Sequence, residues 1–456
     1  MLRAVNPTTG TTVREVPAAT RAETDAILDR AVDAHRDWRE AGFARRAQVL
    51  LAVAAELRGD VDRYAALMTE EMGKPLTEAR AEVGKAAWAA EHYAEHAERY
   101  LAPEHIASDA TSSYVRYLPL GTVLGILPWN APFWLAFRFC APALMAGNTC
   151  VMKHDSHVPG CAAAIAEAFR AAGAPEGVFQ NLPITSDDVE AVIRDERIRA
   201  VSFTGSDRAG SIVAATAAGE IKPTVLELGG SDPCIVLADA DLAAAAETTA
   251  LSRIINAGQS CIAAKRMIVE RSVHDEFVEL FAQQLRGFRV GDPAEEDTQV
   301  GPIAREDQRR ALHEQVVASV EAGARCVLGG ELPEGPGYFY PVTLLTGVTA
   351  DMTVCAEETF GPVAAVIVAE DAEHALAIAN DTPYGLGASV WTHPGRGEEL
   401  SRRIDAGQVA VNGLVKSDPR LPSGGVKRSG YGRELGPHGI REFVNAQQVW
   451  VGPVVE

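Results

Sequence analysis

Basic residues are in short supply: 42 lysines and arginines face 62 aspartates and glutamates, a formal charge of −20 over 456 residues. Such a surface repels phosphate backbones and anionic lipid heads, which argues against nucleic acid and membranes as partners. Paired cysteines are lacking too. The seven cysteines (Cys140, Cys150, Cys161, Cys234, Cys261, Cys326 and Cys355) are odd in number, scattered and without a CxxC spacing, which argues against a disulfide framework and a structural zinc site. No metal is expected. The long uncharged run at residues 117–137 is interrupted by Pro119, Pro128, Asn130 and Pro132 and closed by Arg138, so it reads as buried core with a break and not as a membrane span. Residues 1–10 hold no basic stretch followed by an apolar one, so no signal peptide is expected and the cytoplasm is the default compartment. Aromatics are few, at 6%, but 47% of the residues are hydrophobic and 23% charged, a balance unlike that of a disordered or fibrous chain.

What is present is length enough for two or three domains, each with its own core. Thr20 and Glu23 form a capping box, and Ala26, Ile27, Arg30, Ala31, Ala34 and Trp38 follow at helical spacing. Further helical patterns over residues 43–58 and 76–99 make the first hundred residues read as helices. After Ser113 short β-rich runs alternate with helical ones, at 122–127, 148–153, 199–204 and 224–228, the mark of βαβ units and a parallel sheet. A second alternating set, at 234–237, 267–270, 325–328, 388–391 and 409–412, predicts a second α/β domain, with the boundary near Gly229 and Gly230.

Cys261 follows the glycine-containing segment Asn256-Ala257-Gly258-Gln259-Ser260 and precedes Lys265 and Arg266. That setting exposes a sulfur and favours its thiolate, the nucleophilic form. Taken alone, the signal is weak, because a free cysteine is more often an inert core residue.

Other segments give it company. Pro128-Trp129-Asn130, Phe203-Thr204-Gly205-Ser206, Leu226-Glu227-Leu228-Gly229-Gly230, Gly258-Gln259-Ser260-Cys261, Glu357-Glu358-Thr359-Phe360-Gly361-Pro362 and Ser429-Gly430-Tyr431-Gly432-Arg433-Glu434 occur in this order. Together with Asn6-Pro7-Thr8-Thr9-Gly10 near the start, they make the chain resemble the aldehyde dehydrogenase superfamily over its whole length. The fold so implied is α/β. It comprises a Rossmann-like cofactor domain (1–110 and 123–229), an α/β catalytic domain (230–430) and a small β oligomerisation element (111–122 and 431–456), assembled as a homodimer or homotetramer.

The resemblance also implies chemistry. Cys261 attacks the aldehyde carbon, and the oxyanion that forms meets the Asn130 side-chain amide and the Cys261 backbone N–H, each such donor being worth about 3 kcal/mol. Hydride leaves for a nicotinamide cofactor, and Glu227 activates the water that hydrolyses the thioester. Flanked by Leu226 and Leu228, the Glu227 carboxyl is expected to have a raised pKa. Its presence points to water, not coenzyme A or phosphate, as acyl acceptor. Gly205 and Ser206, where a strand becomes a helix, are implied pyrophosphate ligands, although neither GxGxxG nor a P-loop is present. Trp129, Glu358 and Phe360 complete the nicotinamide side, and Lys153 the adenosine ribose.

Ser156 stands where a glutamate would repel a 2′-phosphate, which predicts NADP as preferred cofactor with NAD possible. His154 and His157 are expected to add positive character there, and Asp155 to oppose it. The segment 153–159, the short N-terminus and residues 412–422 resemble those of compact bacterial succinate-semialdehyde dehydrogenases. That substrate's far carboxylate needs a cation or strong donors. Arg138, eight residues after Asn130, is the first candidate, Ser417 a second, and Arg253 a third of unknown placement. A structural ion pair is the competing role for Arg138. Glutarate semialdehyde and aliphatic aldehydes are alternative substrates, and thiol ester hydrolysis is an alternative of another class. Ala263 replaces the second cysteine of relatives with a redox switch, and Ser423 a common phenylalanine at the pocket rim.

Overall fold

The computed structural model describes residues 1–453. Its first element departs from expectation: Leu2–Asn6 and Thr11–Val16 form an antiparallel hairpin before the first helix. The alternation in so short a pair is lost against the helical patterns that follow. Thr20 does cap the Arg21–Glu40 helix, with both halves of the capping box made. The helices Phe43–Gly59, Val61–Met72 and Leu76–Tyr100 come next, the last two separated at Gly73, whose φ of 77° is left-handed. An added Cβ there would also lie 2.7 Å from Pro302 and 2.8 Å from Pro7.

The first sheet has the order Gly430–Tyr431, Thr224–Glu227, Ile198–Thr204, Thr122–Leu127, Thr149–His154, Phe179–Asn181. All neighbours are parallel except the first pair. Its central strands are buried on both faces, which explains why they read as continuous apolar runs rather than alternating ones. The chain winds outward from Thr122–Leu127 to one side and then returns to the other. The switch point therefore lies between that strand and Ile198–Thr204, and ligands of such sheets bind beyond the strand C-termini at that place.

The second sheet runs Arg325–Leu328, Thr343–Thr346, Val363–Ala369, Arg266–Glu270, Pro233–Val236, Gly387–Trp391, Gln408–Val411, parallel but for its first strand. The chain passes from one sheet to the other through Gly229 and Gly230, between Glu227 and Pro233. Each unit has its own core: Phe133, Phe137, Phe169 and Tyr64 in the first, Phe277, Phe281, Met267 and Val366 in the second.

A third sheet pairs Val444–Val451 with Ser112–Pro119 over eight register positions and adds Glu104–His105 on the far side. Residues 430–443 do not join it. Gly430–Tyr431 edges the first sheet, while Leu435, Ile440 and Phe443 pack into the first core. Glycines and prolines between those apolar residues hide any period. The final residues assigned to the oligomerisation element, 454–456, lie outside the described part. Among the described residues no helix is long and apolar enough to cross a membrane, and no cluster of three or more His, Cys, Asp or Glu could hold a metal.

Candidate active site

The helix Leu242–Ile254 ends in a strained loop that carries the thiol. Asn256, Ala257 and Gly258 have φ of 55°, 52° and 74°, and left-handed conformations at non-glycine residues cost about 1–3 kcal/mol each. Long-range contacts hold them. The Asn256 N–H donates to Glu78 Oε2 (2.8 Å), and its side-chain amide donates to the carbonyls of Asn130 (2.9 Å) and Gln259 (3.1 Å). Arg253 donates to the carbonyls of Gly258 (2.6 Å) and Ala264 (3.1 Å), so this cation is a brace for the loop. At Gly258 a Cβ would come within 2.4 Å of the Gly361 carbonyl, which demands glycine.

The basic residues after Cys261 do not act as expected. Lys265 is buried and donates to the Cys261 carbonyl (2.7 Å), while Arg266 turns to the carbonyls of Ser231, Ile378 and Ala379. Burial pushes the Cys261 thiol up to about 11, with the charges of Arg138 and Lys265 only partly opposing it. The resting sulfur is therefore a thiol.

Cys261 opens onto a cavity of about 430 Å³. Asn130, Trp134 and Arg138 line it from the Pro132–Met145 segment and the turn before it, Glu78, Glu82 and Lys85 from Leu76–Tyr100, and Lys416 and Ser417 from a loop. One amide hydrogen of Asn130 is held by the Gln259 carbonyl (3.1 Å), which orients the group beside the thiol loop. The Asn130 backbone carbonyl accepts from Lys74 (2.9 Å), and Lys74 pairs with Glu82. Glu82 in turn accepts from the N–H groups of Phe133 (2.9 Å) and Trp134 (3.1 Å), satisfying the helix start. Lys74, Glu78, Glu82 and Lys85 escaped the sequence reading. Their signal was a charged row at helical spacing in an otherwise alanine-rich helix.

Glu227 is not on that cavity wall. It ends its strand behind Arg138, whose Nη2 lies 3.6 Å from Glu227 Oε2 and whose Nε pairs with Glu434. Glu434 also accepts from the Ser202 hydroxyl (3.0 Å). Arg138 thus serves two buried carboxylates, the ion-pair role, while still touching the cavity. The Glu227 carboxyl is pushed up by burial, held back by Arg138 and raised further by Glu434. Leu226 and Leu228 contribute little directly, because neighbours on a strand point to the opposite face. Ser423, expected at the pocket rim, instead exchanges backbone hydrogen bonds with Glu434 away from the cavity.

The remaining predicted residues gather at the C-terminal ends of the first sheet. Ser206 caps the Asp207–Gly219 helix, accepting from the Ala209 N–H, so Gly205 and Ser206 stand at a helix N-terminus. The Trp129 and Phe360 rings meet edge to face, centroids 5.8 Å apart. Glu358 accepts from the Gly230 N–H (3.2 Å) and lies 3.6 Å from Lys265; a Cβ on Gly229 would sit 2.3 Å from its carboxylate. Lys153, nearly buried at the end of Thr149–His154, has no hydrogen-bond or ion-pair partner among the described residues, and neither has the Ser156 hydroxyl. An unpartnered ammonium and hydroxyl at the same C-terminal edge of the sheet as a helix N-terminus fit a phosphorylated, polyhydroxylated dinucleotide. His154 adds no charge: burial takes its ring down to about 4, and Nε2 lies 3.1 Å from the Pro132 carbonyl. Burial would raise Asp155, but the ring and N–H of His157 hold it down at about 2.

A half-buried thiol on a strained loop, an oriented amide and a set of donors at the C-terminal ends of the first sheet are what a dehydrogenase of the aldehyde class would need. The family model described as "Aldehyde dehydrogenase family" matches residues 1–449, and the chain belongs to that family. It is 49% identical over 448 residues to a probable NADP(+) succinate-semialdehyde dehydrogenase of Synechocystis sp., covering 98% of this chain and 99% of the relative. An NADP(+) succinate-semialdehyde dehydrogenase of Mycobacterium tuberculosis is 49% identical over 454 residues, with the same coverage. Among solved structures, the Streptococcus pyogenes succinic semialdehyde dehydrogenase in complex with NADP+ superposes with a TM-score of 0.97 at 34% identity, covering 99% of this chain and all 100% of that one. A lactaldehyde dehydrogenase gives a TM-score of 0.96 at 34% identity, covering 99% of this chain and 95% of that one.

Proposed function

We propose that the protein oxidises succinate semialdehyde to succinate, with NADP as the preferred cofactor and NAD as an alternative. The observation that carries this reading is the cavity itself, where Cys261, the oriented Asn130 amide and cationic side chains share one small space. Cys261 gives its proton to water in the cavity and bonds to the aldehyde carbon, and the resulting oxyanion accepts from the Asn130 amide and the Cys261 N–H. Trp129, Lys153, Ser156, Gly205, Ser206, Glu358 and Phe360 hold the nicotinamide dinucleotide, which when bound supplies the hydride acceptor that converts the thiohemiacetal to a thioester. Lys153 and Ser156 favour a 2′-phosphate. Glu227, its proton affinity raised by burial, takes a proton from water, which attacks the thioester carbon and releases the acid and the Cys261 thiol. Ser417 offers a donor to the substrate carboxylate from the cavity wall, while Arg138, which also touches the cavity, is paired with Glu434 and lies beside Glu227.

Residues 112–119 and 444–451 form the oligomerisation element. Among the described residues the Val444–Val451 edge is unpaired on its outer side, and it exposes Trp450, which suits a homodimer or homotetramer. A panel of aldehydes assayed for cofactor reduction with NADP and with NAD tests the function. The highest kcat/KM is expected for succinate semialdehyde with NADP; failure to reduce either cofactor with that aldehyde overturns the reading.

A further inference from the structure

We propose that Lys85 is the countercharge for the carboxylate at the far end of the substrate, a role that rests on the substrate reading above. The charges lining the cavity are Lys74, Glu78, Glu82, Lys85, Arg138 and Lys416. Most are already answered. Lys74 pairs with Glu82, and Arg138 pairs with Glu434 and lies beside Glu227. Glu78 is occupied by the Asn256 N–H. Lys416 is exposed, where water screens it.

Lys85 differs from all of these. It is half-buried, and no carboxylate or hydrogen-bond acceptor meets its ammonium among the described residues. The ammonium lies 4.1 Å from the centroid of the ring of Trp134, a cation–π contact that holds it against the first turn of the Pro132–Met145 helix. Lys85 also continues the row of Glu78 and Glu82 along the Leu76–Tyr100 helix, seven residues or about two turns beyond Glu78, on the face turned to the thiol loop. Desolvation, then the neighbouring Arg138, brings its pKa down to about 8. The cavity thus holds a poorly solvated cation that lacks a partner. A carboxylate carried in by the substrate supplies one, whereas an uncharged aldehyde does not.

The test compares succinate semialdehyde with butanal in the wild type, Lys85→Met and Lys85→Arg. Methionine keeps an apolar stem over Trp134 and removes the charge. The ratio of kcat/KM for succinate semialdehyde over butanal is expected to fall at least about tenfold in Lys85→Met, through KM more than kcat, and to recover largely in Lys85→Arg. A ratio unchanged in Lys85→Met, with both substrates affected alike or neither, overturns the proposal. A wild type that does not prefer succinate semialdehyde over butanal overturns the substrate reading instead, and the role of Lys85 with it. A KM loss not recovered by arginine refutes the charge as the cause.

Discussion

Glu434→Gln perturbs the base without touching it. In the folded protein Glu434 shares the Arg138 guanidinium with Glu227 and adds a like charge that raises the Glu227 pKa. The amide keeps the hydrogen bond from Ser202, since its carbonyl oxygen still accepts, but removes the negative charge. Two effects then act in one direction on Glu227: a repulsion disappears, and Arg138 is released to it. At an effective dielectric constant of about 20, a full charge at the 3.6 Å separation of Arg138 and Glu227 is worth at most about 5 kcal/mol. Arg138 already interacts with Glu227, so only a fraction is gained, and a downward shift of about one pKa unit, or about 1.4 kcal/mol, is the expected scale. In the proposed mechanism Glu227 works as the deprotonated base, so deacylation rises with pH through its pKa. The rising limb should therefore move to lower pH in Glu434→Gln. Single-turnover hydrolysis of a preformed thioester, followed across pH, isolates this step from the ionisation of Cys261. A limb that stays in place or moves to higher pH would refute the electrostatic account of Glu227.

Glu227→Gln is expected to form the thioester and then stall, giving one equivalent of reduced cofactor per site and a steady rate lower by about 10²- to 10⁴-fold; rapid-mixing kinetics would show the burst. Arg138→Ala removes the partner of two buried carboxylates, so kcat should fall for charged and uncharged aldehydes alike; a KM increase confined to succinate semialdehyde would instead make Arg138 the principal carboxylate ligand. Ser156→Glu places a carboxylate beside Lys153 at the site proposed for the 2′-phosphate, and steady-state kinetics should show KM rising for NADP by at least about tenfold relative to NAD.

Local chemistry was sufficient for much of this protein. Thr20 and Glu23 cap a helix through contacts three residues apart, and the strand expected at 122–127 forms over Thr122–Leu127, because two-sided burial is written into consecutive residues. The order of the motifs carried the family, and with it Cys261, Glu227 and Asn130 as candidates. The N-terminal hairpin and the return of residues 430–443 to the first core were missed, since short pairings and Gly-rich turns leave no period to count.

Charge state was decided elsewhere. Lys265 and Arg266 stand next to the thiol in sequence, yet one braces carbonyls and the other faces the helix that ends at Asn380, so burial prevails and Cys261 rests protonated. Arg138 and Glu434 are far apart in the chain, and only the packing of the Pro132–Met145 helix against the first sheet joins them to Glu227. Lys85 was invisible for the same reason: nothing near it in sequence shows that the carboxylates around it have other partners. The sequence by itself determined which reactive groups the chain carries and the strands and helices that present them. The tertiary structure decided which charges remain unpaired and how far each group is desolvated, because those energies depend on neighbours hundreds of residues away.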